Sequence, residues 1–139
     1  MKINIKRKKH LAGSLLPYYC IFGMDREAFV EIGKRFFAEN EHAEIMTFLN
    51  RLLDACSIKR IMPIRYGETI SLEISNDERR FFVFTNSDPE FSVSNQIDIL
   101  SDNDKYFEIK TMSDAWKGMS LYVERKKLLG NSKKERKFP

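Results

Sequence analysis

From Ile64 to Ile74 the apolar side chains fall at positions 64, 66, 70, 72 and 74, all of one parity, and Gly67-Glu68 interrupts them. Successive side chains of a β-strand point to opposite faces. This spacing therefore predicts extended chain around a glycine-containing turn, dry on one face and wet on the other. Similar alternation recurs from residue 2 to residue 123. A chain patterned in this way is expected to fold mostly as antiparallel β-structure, an architecture that does not by itself specify a chemistry.

The rest of the chain can be read against that pattern. Lys2 to Lys8 places Ile3 and Ile5 on one face and Lys2, Asn4, Lys6 and Lys8 on the other. Leu16 to Phe22 is a continuous apolar run, which predicts a central strand with Pro17 near its start. The period then changes. Phe29, Ile32, Phe36 and Phe37 recur at helical spacing, and so do Ile45, Phe48, Leu49, Leu52, Leu53 and Cys56. Two helices are predicted, over 25–38 and 41–57, with Asp25 and Asn40 as N-caps because their side chains accept from first-turn amides.

After Pro63 the β period returns, with strands expected at 64–66, 69–75, 80–85, 93–99, 106–111 and 119–124. Turns and loops rich in Asn, Asp and Ser lie at 76–78, 86–89 and 101–104, and a further connection spans 114–118. The expected fold is mainly β with a helical insertion: an antiparallel β-sandwich of about seven strands, with a two-helix insertion at 25–57. The alternative is a curved sheet capped by the helices. Residues 1–124 read as one domain, and 125–139 as a basic, flexible tail.

At 139 residues with 42% apolar content, eleven Phe and five Tyr, the chain has the means to build a real core. Its net charge of +4 conceals an asymmetry. Lys2, Lys6, Arg7, Lys8 and Lys9 crowd one end, and Arg125, Lys126, Lys127, Lys133, Lys134, Arg136 and Lys137 crowd the other. The two ends together carry +11, and residues 11–124 carry −7. Attraction to a polyanion would have to come from the ends.

Lys6 to Lys9 followed by an apolar run mimics the start of a signal peptide. However, Pro17, Tyr18 and Tyr19 break the run, no small-residue cleavage site follows, and Asp25-Arg26-Glu27 comes too soon. The run is also too short to span a bilayer. A cytoplasmic protein is expected.

Several segments carry a resemblance: Ile5-Lys6-Arg7-Lys8, Gly13-Ser14-Leu15-Leu16-Pro17-Tyr18-Tyr19, Tyr66-Gly67-Glu68-Thr69 and Ser94-Asn95. Over about half the chain this pattern resembles small bacterial all-β domains of unknown function. In those domains a basic first strand and an aromatic second strand precede an Asn-Gly-Glu-like turn; here Tyr66 stands where Asn is usual. The stretch 25–57 looks like an insertion between the second and third strands. The resemblance implies an all-β core and no particular catalytic or binding residues.

Motifs for chemistry are sparse. Asp98, Asp102, Asp104 and Glu108 gather around a turn but lack the spacing and central Gly of an EF-hand. His10, His42, Cys20 and Cys56 have no paired ligand spacing, and the two cysteines read as small buried hydrophobes. His42 and Cys56, on one predicted helix, would lie too far apart to form a nucleophile–base pair. No phosphate-cradling or dinucleotide-binding glycine motif is present. No catalytic residue, metal ligand or cofactor is therefore expected.

Two binding surfaces remain. Phe29, Phe36, Phe37, Phe48, Leu49 and Leu52 offer more apolar surface than two short helices bury on each other. The helical insertion is thus the expected contact surface of a non-enzymatic protein-interaction or assembly module, with a homodimer as one form. The alternative is binding of nucleic acid or an anionic lipid surface through Lys6, Arg7, Lys8, Lys9, Arg125, Lys126 and Lys127, by counterion release.

Overall fold

Strands β1 (Lys2–Arg7) and β2 (Tyr18–Phe22) lead into helices α1 (Arg26–Glu39) and α2 (Ile45–Asp54). Strands β3 (Arg60–Ile64), β4 (Thr69–Glu73), β5 (Arg80–Asn86), β6 (Phe91–Val93), β7 (Ile97–Asp98), β8 (Tyr106–Asp114) and β9 (Gly118–Lys126) follow. The structure is a computed structural model that describes residues 1–86, 91–114 and 118–127. The expected tail beyond Lys127, most of the 86–89 loop and the centre of the 114–118 connection lie outside the described residues.

The strands form two sheets. One runs β4-β1-β8-β9; the other runs β3-β2-β5-β6, with β7 also paired to β5. Ile3, Ile5, Leu72, Phe107, Ile109, Leu121 and Val123 of the first sheet meet Tyr18, Cys20, Phe22, Phe81 and Val83 of the second in one buried core. The opposite face of the second sheet presents Ile21, Phe82 and Phe84, and the helices lie on it through Phe29, Phe48, Leu49 and Leu52. The result is three layers: helices, five-stranded sheet, four-stranded sheet. β2 and β5 are covered on both faces, which explains why Tyr18 to Phe22 and Phe81 to Phe84 read as unbroken apolar runs. β1, β8 and β9 are covered on one face and alternate.

The mainly β sandwich with a helical pair is thus the observed fold, with several local differences. β1 and β8 run parallel, with Lys6 beside Glu108, so one pair in the four-stranded sheet departs from the antiparallel rule. The Gly67 turn joins strands of different sheets: β3 pairs with β2, and β4 pairs with β1. β3 starts before Pro63 and includes it. It is an edge strand, where a residue without an N–H is tolerated.

The expected strand over 93–99 divides into β6 and β7, because Ser94 turns inward. Its hydroxyl accepts from the Val83 amide at 2.8 Å, and its own amide donates to the Val83 carbonyl at 2.8 Å. Asp25 caps α1 as expected, accepting from the Ala28 amide at 3.0 Å. Asn40 does not start α2. It closes α1, donating to the Phe36 carbonyl from both its amide and its side chain, and α2 begins only at Ile45.

The two lateral sides of the sandwich differ. On one, the Asn95 carboxamide bonds the Val123 backbone both ways, accepting from its N–H at 2.7 Å and donating to its C=O at 3.0 Å. The Ser92 hydroxyl donates to the Met119 carbonyl nearby. These bonds tie the edge of β9 to the β6–β7 segment. On the other side lie the edges of β3 and β4.

Candidate interaction surface

The helical insertion does not present the expected apolar face to a partner. Phe29, Phe48, Leu49 and Leu52 are buried. The Phe29 ring sits 4.9 Å from Phe82 and 5.2 Å from Phe84, centre to centre. Phe36 and Phe37 are half-buried and pack on Phe48 at 5.2 and 5.3 Å, and Phe37 also reaches Phe91. The surplus apolar surface of the helices is absorbed by the outer face of the five-stranded sheet. Freeing the four buried residues would forfeit on the order of 6–12 kcal/mol, as much as the whole stability of a typical domain. These residues form core rather than a docking surface.

The basic ends are also rearranged. Lys6, Lys8 and Lys9 are exposed on and just after β1, and Lys127 is exposed after β9. Arg7 is not exposed: it is buried at 2%. Arg125 bonds Asp104 at 3.2 Å and also donates to the Asp98 carbonyl. Lys126 bonds Glu124 at 2.7 Å and lies 3.5 Å from Glu108. Hydrogen bonds from Lys126 and Lys110 hold Glu124 below the usual carboxylate range, and Glu124 raises Lys126 above the usual lysine value. The charges of Arg125 and Lys126 are thus met by acids of the same fold, and three of the seven expected polyanion contacts are spent internally.

Arg7 follows from the alternation of β1: it shares the inward parity of Ile3 and Ile5. A buried guanidinium needs acceptors for its five N–H groups. It donates to the carbonyls of Ile64 at 3.0 Å, Gly13 at 2.8 Å and Leu16 at 2.9 Å. Its carbon lies 3.4 Å from the centre of the Tyr18 ring and 5.7 Å from that of Tyr66. Among the described residues no carboxylate pairs with it; Glu78, the buried acid, is taken by Arg60 at 2.8 Å. Burial lowers the Arg7 pKa from its ordinary value, and the Tyr18 side chain opposes that shift.

This cation organises one end of the sandwich. The Tyr18 hydroxyl shares a 2.6 Å hydrogen bond with the Thr111 hydroxyl, linking the two sheets. Gly13 has a φ of +78°, and a Cβ there would come within 2.6 Å of the Tyr18 hydroxyl oxygen, so a larger residue has no room. The Thr85 hydroxyl donates to the Pro17 carbonyl at 2.6 Å and fixes the far end of the loop. The 8–17 connection is therefore pinned from beneath at Gly13, Leu16 and Pro17.

Held in this way, the loop shows Leu11 at 89% and Leu15 at 97% exposure. Tyr66 is part-exposed beside Arg7, and the stem of Lys9 passes over Gly67 from the same side. Lys8 and Lys9, at the start of the same loop, and Arg65, next to Tyr66 in the chain, are exposed. Neither Leu11 nor Leu15 is among the site residues expected from the sequence. The inward parity of Arg7 was the available signal.

No family model matches this chain, and no curated protein matches it. Among solved structures, the T6SS lipoprotein TssJ1 from Pseudomonas aeruginosa is similar at 10% sequence identity and a TM-score of 0.44, over 90% of this chain and 94% of that one. A likeness this loose carries no argument about what the chain does. Among the described residues, no helix is long and apolar enough to cross a membrane.

Proposed function

We propose that this chain is a non-enzymatic protein-interaction module, and that its contact surface is the end of the sandwich built on Arg7, with Leu11 and Leu15 as anchors. One observation supports this reading: two almost fully exposed leucines stand on a loop whose backbone a buried arginine holds in place. A single exposed leucine is ordinary. Two on a braced loop are preorganised, so a partner that covers them has little ordering entropy to overcome. The exposed Lys8 and Lys9 at the start of the same loop match a partner whose apolar pocket has an acidic rim.

Affinity isolation from cells compares the parent chain with Leu11→Ser/Leu15→Ser and with Leu100→Ser. Leu100 is another exposed leucine, in the loop before β8, at the opposite end of the sandwich. A partner lost from the double variant and kept by Leu100→Ser supports the reading. Equal recovery by all three contradicts it. Cosedimentation of the parent chain with anionic vesicles, lost in the double variant and with no protein recovered, would replace the protein partner with a lipid surface.

A further inference from the structure

The outer edges of β3, β4 and β9 are not equally protected. Asn95 and Ser92 lace the edge of β9. β3 carries Pro63, which offers no N–H. β4 has neither device. Its bonding parity follows from its register with β1: Ile74 donates to Met1, and Glu68 accepts from Arg7, so the even-numbered residues face β1. The N–H and C=O groups of Thr69, Ser71 and Glu73 therefore point away from the sheet, and among the described residues no strand pairs with them. Their side chains are exposed on the wet face. An unguarded edge of this kind is a template for another strand.

We infer that β4 pairs with β4 of a second copy, antiparallel about a two-fold axis at Ser71, joining two four-stranded sheets into one of eight strands. The sequence of β4 is self-complementary in that register. Ser71 meets Ser71, and Thr69 meets Glu73, so no like charges stand opposite one another. Across the wet face each row then reads Lys6, Thr69, Glu73 of the second copy, Lys2 of the second copy, with the acid set between two bases. The outward groups of three residues on each strand bond in pairs, as an isologous interface requires. This contact is separate from the leucine loop and does not depend on it.

Light scattering after gel filtration over a wide range of concentration, with amide exchange, tests the inference. Ser71→Lys sets two like charges at the axis and touches nothing inside; Ser71→Pro removes an N–H that β1 does not use. A concentration-dependent dimer is expected, with the amides of Thr69, Ser71 and Glu73 slowed in the dimer alone. Ser71→Lys should return the chain to monomer, and it decides the matter if Ser71→Pro fails to fold. A monomer at every concentration overturns the inference, as does a dimer that Ser71→Lys leaves intact. Leu11→Ser/Leu15→Ser should leave this dimer unchanged, so its failure and that of the leucine surface are read separately.

Discussion

The guanidinium carbon of Arg7 lies 3.4 Å from the centre of the Tyr18 ring, joining the first strand of one sheet to the first strand of the other. Arg7 also donates to three carbonyls, those of Ile64, Gly13 and Leu16, and the Gly13 carbonyl accepts from the Leu16 amide as well. Arg7→Met keeps the bulk and removes all three of these side-chain bonds, so it should cost about 3 kcal/mol. Arg7→Lys should recover only part of this, because one ammonium lacks the planar fork. Urea unfolding measures both, and amide exchange across residues 11–16 should quicken in each.

Tyr18 and Thr111 share a buried 2.6 Å hydrogen bond between the sheets. Tyr18→Phe or Thr111→Val alone leaves one hydroxyl unsatisfied and should cost about 1–2 kcal/mol. The double variant should cost clearly less than the two singles together, since neither orphan remains. Simple additivity in denaturant melts would show that the bond contributes nothing of its own.

The Asn95 carboxamide occupies the Val123 N–H and C=O as a neighbouring strand would. Asn95→Ala should cost about 1–2 kcal/mol and speed exchange of the Val123 amide. It should also promote association through β9, because the edge is then open. Unchanged exchange at Val123 would mean that another group guards this edge.

The two cysteines should react differently. Cys20 is fully buried, and burial alone pushes its thiol up to about 12, whereas Cys56 is exposed. A disulfide-forming reagent at pH 8 should label one thiol in the folded chain and two in denaturant. The folded-state value stands above the unfolded one, so the neutral thiol's contribution is complete below about pH 9 and is lost as pH rises toward 12. The stability advantage of the parent chain over Cys20→Ala should therefore shrink across that window.

Much of the architecture was legible because periodicity reports burial. The alternation in β1, β8 and β9 and the unbroken runs of β2 and β5 told one-sided from two-sided strands, and the Asp25 cap located α1. Pairing partners were not legible. Nothing local tells β4 to leave β3 for β1, or β1 to run parallel with β8, because those choices depend on contacts distant in sequence.

The site was misread for a related reason. Counting charge placed Arg7 and Arg125 with their basic neighbours, although the first shares parity with Ile5 and the second with Val123. Phe29, Phe48, Leu49 and Leu52 looked surplus to the helices because the sheet face beneath them, Ile21, Phe82 and Phe84, cannot be assigned to one surface before the strands pair.

The most direct test of the leucine surface is photo-crosslinking in cells from a reactive residue placed at position 15, with a second at position 100 for comparison. The account predicts a discrete protein adduct from position 15, absent from position 100 and weakened by Arg7→Lys, which loosens the loop but leaves both leucines in the chain. No adduct from position 15, or the same adduct from both positions, would contradict it.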